Sequence, residues 1–382
     1  MTGLYLHFPF CLSKCAYCDF ASAPLESLGG MPGARRYLDA MNVELDLRAA
    51  SAEFRGAEID SIYFGGGTPT VLPAECLAES VARLRMRFSV AHGAEVTVEA
   101  NPGTVGEAKV KALFQAGFNR ISLGLQSFSD SVLATLGRCH TADEAKQAVA
   151  TVRAAGCQNL NTDLIYGVPG QSLEQWQETV QQAIAANPEH ISAYGLSVEA
   201  GTPLAAAIES GSLPQISQDL CGDMYQAATT ALIGADYGHY EISNFARPGF
   251  ECWHNRKYWA GDEYLGLGVS AHSHRGGVRW NNMENVAVYT QWLEQGLLPV
   301  TRAEALSPRE RVEEMLMLGF RRAEGVAEAE IAERCGLSPE DVFGVEIEAL
   351  CEQGLLIRDQ GRLRVPQDKW LVSNEILSYL IT

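Results

Sequence analysis

The chain has 382 residues, a hydrophobic content of 47% and 36 glycines, which together predict a globular α/β protein and exclude a disordered one. Its formal net charge of −18 argues against nucleic acid as a partner, because such binding begins with basic side chains on phosphates. The sequence contains no apolar run of about 18 residues, so it predicts no transmembrane segment.

The chain starts with MTGLYLHFPFCLSKC, which lacks the basic and long apolar regions of a signal peptide. Ten cysteines in an unexported chain indicate reduced thiols or metal ligands rather than a disulfide framework. We therefore expect the protein in the cytoplasm. Docking at the inner face of the membrane through partner proteins is left open.

Short apolar or alternating runs alternate with helical patterns over the first 200 residues. The predicted strands are Leu4–Phe8, Asp60–Phe64, Glu95–Ala100, Arg120–Leu125, Leu160–Tyr166 and His190–Leu196. The predicted helices between them are Ala34–Ala50, Pro73–Phe88, Val105–Ala116, Ala142–Ala155 and Leu173–Ala186. Such alternation is typical of parallel sheet. A (βα)6 barrel, complete or partial, and a doubly wound open sheet both fit the pattern.

Polar residues and glycines fall at the ends of these strands. Cys11 follows the first strand, Gly65–Gly67 follow the second, and Glu99 and Gln126 lie at the ends of the third and fourth. Asp163 lies within the fifth. In a parallel barrel the carboxyl ends of the strands meet on one face, where such folds build their sites. We therefore predict a partial TIM-like (βα)6 barrel with one shared site.

Three cysteines occupy the loop after the first strand. Cys11, Cys15 and Cys18 have the spacing C-x-x-x-C-x-x-C, and thiolates in a short loop can bind an iron–sulfur cluster. Three ligands for four irons leave one iron open, as catalytic zinc sites keep one position open. That iron could take S-adenosylmethionine (SAM), whose carbon–sulfur bond an electron can break. Spacing alone leaves zinc and unliganded thiols as alternatives.

The pattern changes after residue 200. Residues 201–300 are rich in Gly, Tyr, Trp and His and have less regular periodicity. The helical runs that follow, ahead of an apparent β-hairpin in GLLIRDQGRLRVP, are Pro308–Phe320, Glu328–Cys335 and Glu340–Gln353. We predict three parts: a barrel core (1–200), an extension (201–300) and a smaller α+β winged-helix-like domain (301–382). The many acidic residues of the last part favour a lid or docking role over DNA binding.

These motifs resemble one known family. Tyr5, the H-x-P-F-C-x-x-x-C-x-Y-C run, the G-G-G-T-P-T loop and the D-L-I-Y-G-V-P-G-Q strand are similar to the oxygen-independent coproporphyrinogen III dehydrogenases (HemN) of the radical SAM family. The resemblance implies a [4Fe–4S] cluster on the three cysteines, and SAM beside it. The cofactor-binding residues that it implies are Tyr5, Tyr17, Gly66, Gly67, Thr68, Glu99, Gln126, Arg138, Asp163 and Ser197.

Three features depart from those dehydrogenases. Phe20 stands where they carry a further cysteine, and the first cluster cysteine is already residue 11. His272 stands where they place an apolar residue against a second SAM. These departures therefore argue against oxidative decarboxylation of coproporphyrinogen as the activity of this chain. The dehydrogenase and a radical SAM methyltransferase stay as alternative functions, and whether the chain is an enzyme is left open.

A different motif, H-N-x-x-Y-W from His254 to Trp259, together with C-x-F around the cluster, is similar to the HemW group of heme chaperones. This resemblance implies a chaperone that binds heme, the cluster and SAM and delivers heme to apo-haemoproteins such as respiratory enzymes; it also admits a homodimer. His254 could supply a neutral imidazole to heme iron. The alternative is that His254 only caps a loop while its aromatic neighbours are core. Other candidate ligands are Cys252, His272 and His274.

Overall fold

The computed structural model describes residues 1–380. Its strands are β1 (Thr2–Phe8), β2 (Phe10–Cys11), β3 (Ala23–Pro24), β4 (Glu58–Gly66), β5 (Ser89–Ala100), β6 (Arg120–Gln126), β7 (Leu160–Tyr166), β8 (His190–Gly195), β9 (Gly238–Glu241), β10 (Asn244–Ala246), β11 (Tyr264–Leu267), β12 (His272–Arg275), β13 (Val278–Asn282), β14 (Val300–Ala305), β15 (Val326–Ala327), β16 (Ile357–Asp359) and β17 (Arg362–Arg364).

The α-helices follow the strands in the first half of the chain and dominate its end. They are α1 (Gly30–Ala50), α2 (Ala74–Arg87), α3 (Glu107–Gln115), α4 (Asp130–Thr135), α5 (Ala142–Ala154), α6 (Leu173–Ala185), α7 (Pro203–Glu209), α8 (Gln218–Gly234), α9 (Trp253–Ala260), α10 (Val286–Glu294), α11 (Pro308–Gly319), α12 (Glu328–Cys335), α13 (Pro339–Glu352) and α14 (Ser373–Ser378). Short 3₁₀ helices cover Leu25–Leu28, Pro69–Val71, Pro102–Thr104 and Gln367–Val372.

Local sequence signals explain where several helices begin. At the start of α6, the Ser172 hydroxyl accepts the backbone N–H of Gln175, and the Gln175 side chain accepts the N–H of Ser172. The pair Thr141 and Glu144 forms the same capping box before α5. Each box satisfies two backbone donors that the first helical turn leaves unpaired.

The central sheet has twelve strands in the order β14-β13-β12-β11-β1-β4-β5-β6-β7-β8-β10-β9. The six strands predicted from periodicity, β1 and β4 to β8, lie side by side in chain order, and each pairs with the next in parallel. A doubly wound sheet would reverse that order. The outer edge of β1 pairs with β11 and that of β8 pairs with β10, so the ring stays open. The predicted partial (βα)6 barrel is confirmed.

The strands added at both edges come from the part of the chain with weak periodicity. On one side β11 to β14 continue the sheet through antiparallel pairs beyond β11, and on the other side β10 and β9 do so. These strands have three to six residues. Their positions are set by pairing with neighbouring strands, of which β10 and β11 pair with the barrel itself, rather than by their own apolar pattern.

The end of the chain forms the smaller α+β unit. Helices α11, α12 and α13 pack together, and a three-stranded sheet in the order β15-β17-β16 carries the predicted hairpin. Helix α11 also packs against α9. The winged-helix-like architecture is confirmed, whereas the boundaries at residues 200 and 300 stay a prediction. Within residues 1–380, every helix is too short or too polar to cross a membrane.

Candidate functional site

A cavity of about 730 Å³ lies where the barrel strands β4 to β8 end and the cysteine loop folds over them. Most residues predicted for the cluster and SAM converge on it, although they come from loops far apart in the chain. Those that line it are Cys11, Cys15, Tyr17, Cys18, Gly66, Gly67, Thr68, Glu99, Gln126, Arg138, Asp163 and Ser197. We refer to this space as the first cavity.

The cluster loop, residues 11–22, is tied to the barrel at several points. The N–H of Ala16 donates to the Leu136 carbonyl at 3.0 Å, and the Ala16 carbonyl accepts from Leu204 at 2.9 Å. The Nη1 of Arg138 lies 3.3 Å from the Cys15 sulfur. Burial raises the pKa values of the Cys11 and Cys18 thiols. The loop therefore holds its three sulfurs at the cavity in a fixed, partly desolvated position.

Within residues 1–380, no three His, Cys, Asp or Glu side chains converge closely enough to hold a single metal ion. A four-iron cube spreads its thiolate ligands over separate irons, and the three thiols of Cys11, Cys15 and Cys18 in one loop fit that donor set.

The glycine loop after β4 lies directly against the cluster loop. The N–H groups of Gly67 and Thr68 donate to the Phe8 and Phe10 carbonyls, both at 2.7 Å. A Cβ atom added to Gly67 would lie 2.7 Å from the Phe10 oxygen and 3.0 Å from the Cys11 sulfur. Only a residue without a side chain permits this approach of two backbones.

Two half-buried carboxyl groups face the first cavity. Glu99 accepts from the Tyr63 hydroxyl at 2.9 Å and from the Gly66 N–H at 3.2 Å. Burial, followed by the charge of Asp163, raises the pKa of Glu99 to about 8. Asp163 accepts from Ser122 at 3.0 Å, and burial raises its pKa as well. A cationic ligand bound beside these two carboxyl groups would therefore favour their ionised forms.

Arg138 and Gln126 each have one buried polar atom without a partner in the described part of the chain. The Nε of Arg138 and the Oε1 of Gln126 are buried and have no hydrogen-bond partner among residues 1–380. Gln126 has a φ of +66°, which a residue with a side chain rarely adopts, and the β6–β7 register shifts beside it. Unpaired buried polar atoms and local backbone strain are typical of binding sites.

Asn101 is a site residue that sequence reasoning missed. Its Nδ2 donates to the Thr68 hydroxyl at 2.7 Å, and its Oδ1 accepts from the Nη2 of Arg138, so it links two predicted SAM contacts. The available signal was its position immediately after β5, two residues beyond Glu99. In a parallel barrel such positions point to the site face.

Tyr5 is the one residue predicted to contact SAM that does not line the first cavity. It lines a second cavity of about 980 Å³, and its hydroxyl lies 3.1 Å from the Nδ1 of His7. Glu99 and part of the cluster loop line both cavities. The structure therefore separates Tyr5 from Tyr17, which faces the first cavity.

His254 lies at the start of α9 and is 1% exposed. Its Nδ1 lies 2.9 Å from the Ser61 hydroxyl and its Nε2 lies 2.9 Å from the Tyr258 hydroxyl. Burial, followed by the charge of Lys257, lowers its pKa to about 3. Both ring nitrogens are engaged and the side chain lines neither cavity. As placed, His254 serves as a buried hydrogen-bonding residue; its role as an axial heme ligand stays a prediction.

The other candidate heme ligands differ in their access to a cavity. Cys252 is fully buried, its sulfur lies 3.5 Å from a Glu95 oxygen, and burial raises its pKa to about 12. The Nδ1 of His274 lies 3.2 Å from the Asp262 carbonyl oxygen. His272 is exposed and lines the second cavity. Among these residues, His272 is the one that the structure brings to a cavity.

Comparisons with known proteins agree with this geometry. The radical SAM superfamily matches residues 5–183, and the HemN C-terminal domain matches residues 306–372. The chain is 39% identical to heme chaperone HemW of Mycobacterium tuberculosis (strain ATCC 25618 / H37Rv), over 99% of this chain and 94% of that protein. It is 34% identical to heme chaperone HemW of Escherichia coli (strain K12), over 99% and 98%. The structure of coproporphyrinogen III oxidase (HemN) from Escherichia coli superposes with a TM-score of 0.85 at 25% identity, over 100% of this chain and 90% of that one.

Proposed function

Because this chain belongs to the HemW family of radical SAM proteins, we propose that it is a heme chaperone that binds heme, a [4Fe–4S] cluster and SAM and delivers heme to apo-haemoproteins. The observation that carries the proposal is similarity over nearly the whole chain, at 32–39% identity, to proteins named heme chaperone HemW. The H-N-x-x-Y-W segment supports the same choice. Cytoplasmic location, respiratory acceptors and a homodimer are further parts of this proposal.

The first cavity supports the binding of cluster and SAM. Cys11, Cys15 and Cys18 would hold the cluster, which when bound supplies an open iron position and one electron to SAM. Glu99 and Asp163 would face the positive charges of SAM, because a cation stabilises their ionised forms. The other residues named for the cavity would contact SAM through backbone groups, the unpaired atoms of Arg138 and Gln126, and the Tyr17 ring.

Heme transfer tests the chaperone proposal directly. Full-length protein with its cluster reconstituted under anaerobic conditions is titrated with heme, freed of excess heme and mixed with an apo-haemoprotein such as apomyoglobin. We expect a stable heme complex and the appearance of the acceptor's own Soret band. A matched sample of heme with albumin in place of the chaperone controls for passive release. A protein that binds no heme under these conditions would contradict the proposal.

A second candidate function is the coproporphyrinogen III dehydrogenase, and the TM-score of 0.85 with HemN favours it. The same reconstituted protein, incubated with SAM, coproporphyrinogen III and an electron acceptor, would then lose two carboxyl groups from the substrate. Mass spectrometry of the product detects that loss. We expect unchanged substrate, because His272 and Phe20 stand at positions where the dehydrogenases have other residues.

A further inference from the structure

The second cavity lies against the cluster loop and has no assigned ligand. Its volume of about 980 Å³ is at the upper end of the range for small-molecule sites, about 300–1,000 Å³. Lys14, Asp19, Phe20 and Ser22 of the cluster loop line both this cavity and the first one. A ligand in the second cavity would therefore touch the loop that carries the cluster cysteines.

Aromatic rings provide much of the wall of this cavity. Tyr5, Phe20, Tyr258 and Tyr264 line it, and the Tyr258 ring packs edge-on against Tyr264 with 4.6 Å between centroids. Phe20 is 62% exposed, although apolar rings of this size are usually covered. A flat apolar ligand would bury the Phe20 ring and pack against the other three.

Two histidines line the cavity, and they differ in whether their ring nitrogens are free to bind a ligand. The Nε2 of His7 lies 2.9 Å from the Ala21 carbonyl and its Nδ1 lies 3.1 Å from the Tyr5 hydroxyl, so both nitrogens are engaged. His272, on β12, is exposed, and its ring has no hydrogen-bond partner among residues 1–380. A free imidazole at the wall of an aromatic cavity can supply an axial ligand to a heme iron.

We propose that the second cavity is the heme site and that His272 is the axial ligand. This inference rests on the proposed function, because it takes heme as the cargo. Lys14 adds a cation that suits a heme propionate. The acidic residues Asp19, Glu99 and Glu284 also line the cavity, and their ionised forms would repel a propionate. The assignment differs from the sequence prediction, which gave the ligand role to His254.

Heme titration of substituted full-length protein tests the proposal. In His272→Ala the axial bond is lost, so we expect a shifted Soret band and an affinity at least about tenfold lower. Ala287→Trp places a large ring into the cavity from α10, where Ala287 is exposed and lines it, and should lower affinity without a change of ligand. His92→Ala is the matched control, because His92 is exposed on β5 and lines neither cavity. Iron content and SAM binding report whether each variant is folded.

The outcomes separate this inference from the chaperone proposal. If the unsubstituted protein binds no heme, the proposed function fails. If it binds heme but His272→Ala and Ala287→Trp keep its spectrum and affinity, the second cavity is not the heme site and the proposed function stands. If His254→Ala alone changes the Soret band while its iron content is unchanged, the ligand lies in the H-N-x-x-Y-W segment, which also overturns this inference.

Discussion

At the scale of single residues, Glu99 has an unusual setting for a carboxyl group. It is held by the Tyr63 hydroxyl and the Gly66 N–H, and Asp163 is near enough that its charge adds to the rise in the Glu99 pKa. With a pKa of about 8, the group is mostly protonated at pH 7. Binding of cationic SAM should therefore favour loss of the Glu99 proton.

We expect SAM affinity to rise with pH up to about pH 8 and then to level off. The direction follows from the raised pKa of Glu99. Below that pKa, SAM binding must release the Glu99 proton, whereas above it the group is already ionised and no proton is released. The dependence approaches about tenfold per pH unit well below the pKa. Equilibrium dialysis with Glu99→Gln as control measures it, since that variant has no proton to lose. If SAM affinity rises equally steeply with pH in the unsubstituted protein and in Glu99→Gln, the effect comes from SAM itself and not from Glu99.

Gly67 offers a second test at this scale. Gly67→Ala adds one carbon that would lie 2.7 Å from the Phe10 oxygen and 3.0 Å from the Cys11 sulfur, so the glycine and cluster loops must separate. We expect SAM affinity to fall at least about tenfold and iron content to fall with it. Gly234→Ala adds the same carbon where no atom lies within 4 Å and should change neither. Wild-type SAM binding in Gly67→Ala would place SAM elsewhere.

Among the helices and strands, the sequence predicts those whose apolar residues recur with a strong helical or strand periodicity. Strand β7 and helix α12 have the predicted bounds, and most other predicted bounds move by one to four residues. Strand β5 starts at Ser89 rather than Glu95 because the segment pairs with the beginning of β4. Strands β9 to β14 were missed, since neighbouring strands rather than an apolar alternation define them.

Helix α9 shows how one element is held by side chains from another. The Glu95 carboxylate on β5 accepts the N–H groups of Trp253 and His254 at 3.0 and 3.1 Å, so a negative charge lies at the helix N-terminus. Asp60 on β4 forms an ion pair with Lys257 at 2.8 Å and accepts from the Trp253 indole. The H-N-x-x-Y-W segment is therefore fixed against side chains of two barrel strands, β4 and β5.

Removal of the Glu95 carboxylate should loosen this attachment. Glu95→Ala leaves two backbone donors of α9 without their acceptor, and we expect the free energy of unfolding to fall by about 1–3 kcal/mol. Urea unfolding followed by circular dichroism measures the change. Glu346→Ala is the control, because Glu346 is exposed on α13 and forms no ion pair among the described residues. Equal stability of both variants would show that the contacts to α9 contribute little.

At the scale of the whole molecule, the two cavities differ in how far sequence could predict them. The first is built from strand ends of one parallel barrel, so a general rule about barrels is enough to bring Cys11, Glu99 and Asp163 together. The second takes its walls from β1, the cluster loop, α9, β11, β12 and α10. No local pattern predicts that strands from residues 264–275 pair beside β1, and the second cavity depends on that pairing.

The cluster loop, which borders both cavities, should make them interdependent. Replacing Cys11, Cys15 and Cys18 by Ala should abolish the iron–sulfur absorbance, because it removes the thiolates that hold the cluster. The loop keeps its backbone hydrogen bonds at Ala16 but loses the cluster that would join its three cysteine positions. We therefore expect Phe20 and Ser22, which line the second cavity, to become less ordered. We expect the barrel to stay folded and heme affinity to fall several-fold, with an unshifted Soret band.

Iron analysis, circular dichroism and heme titration of the same triple variant measure these effects. The control is Cys76, Cys157 and Cys335 replaced together by Ala, since these thiols are buried on helices or in a loop and line neither cavity. Four irons per triple variant of the loop would contradict the cluster assignment. Full heme affinity without iron would instead show that the two cavities act independently. If heme affinity falls only in the variant that has lost its iron, the cluster helps to shape the heme site.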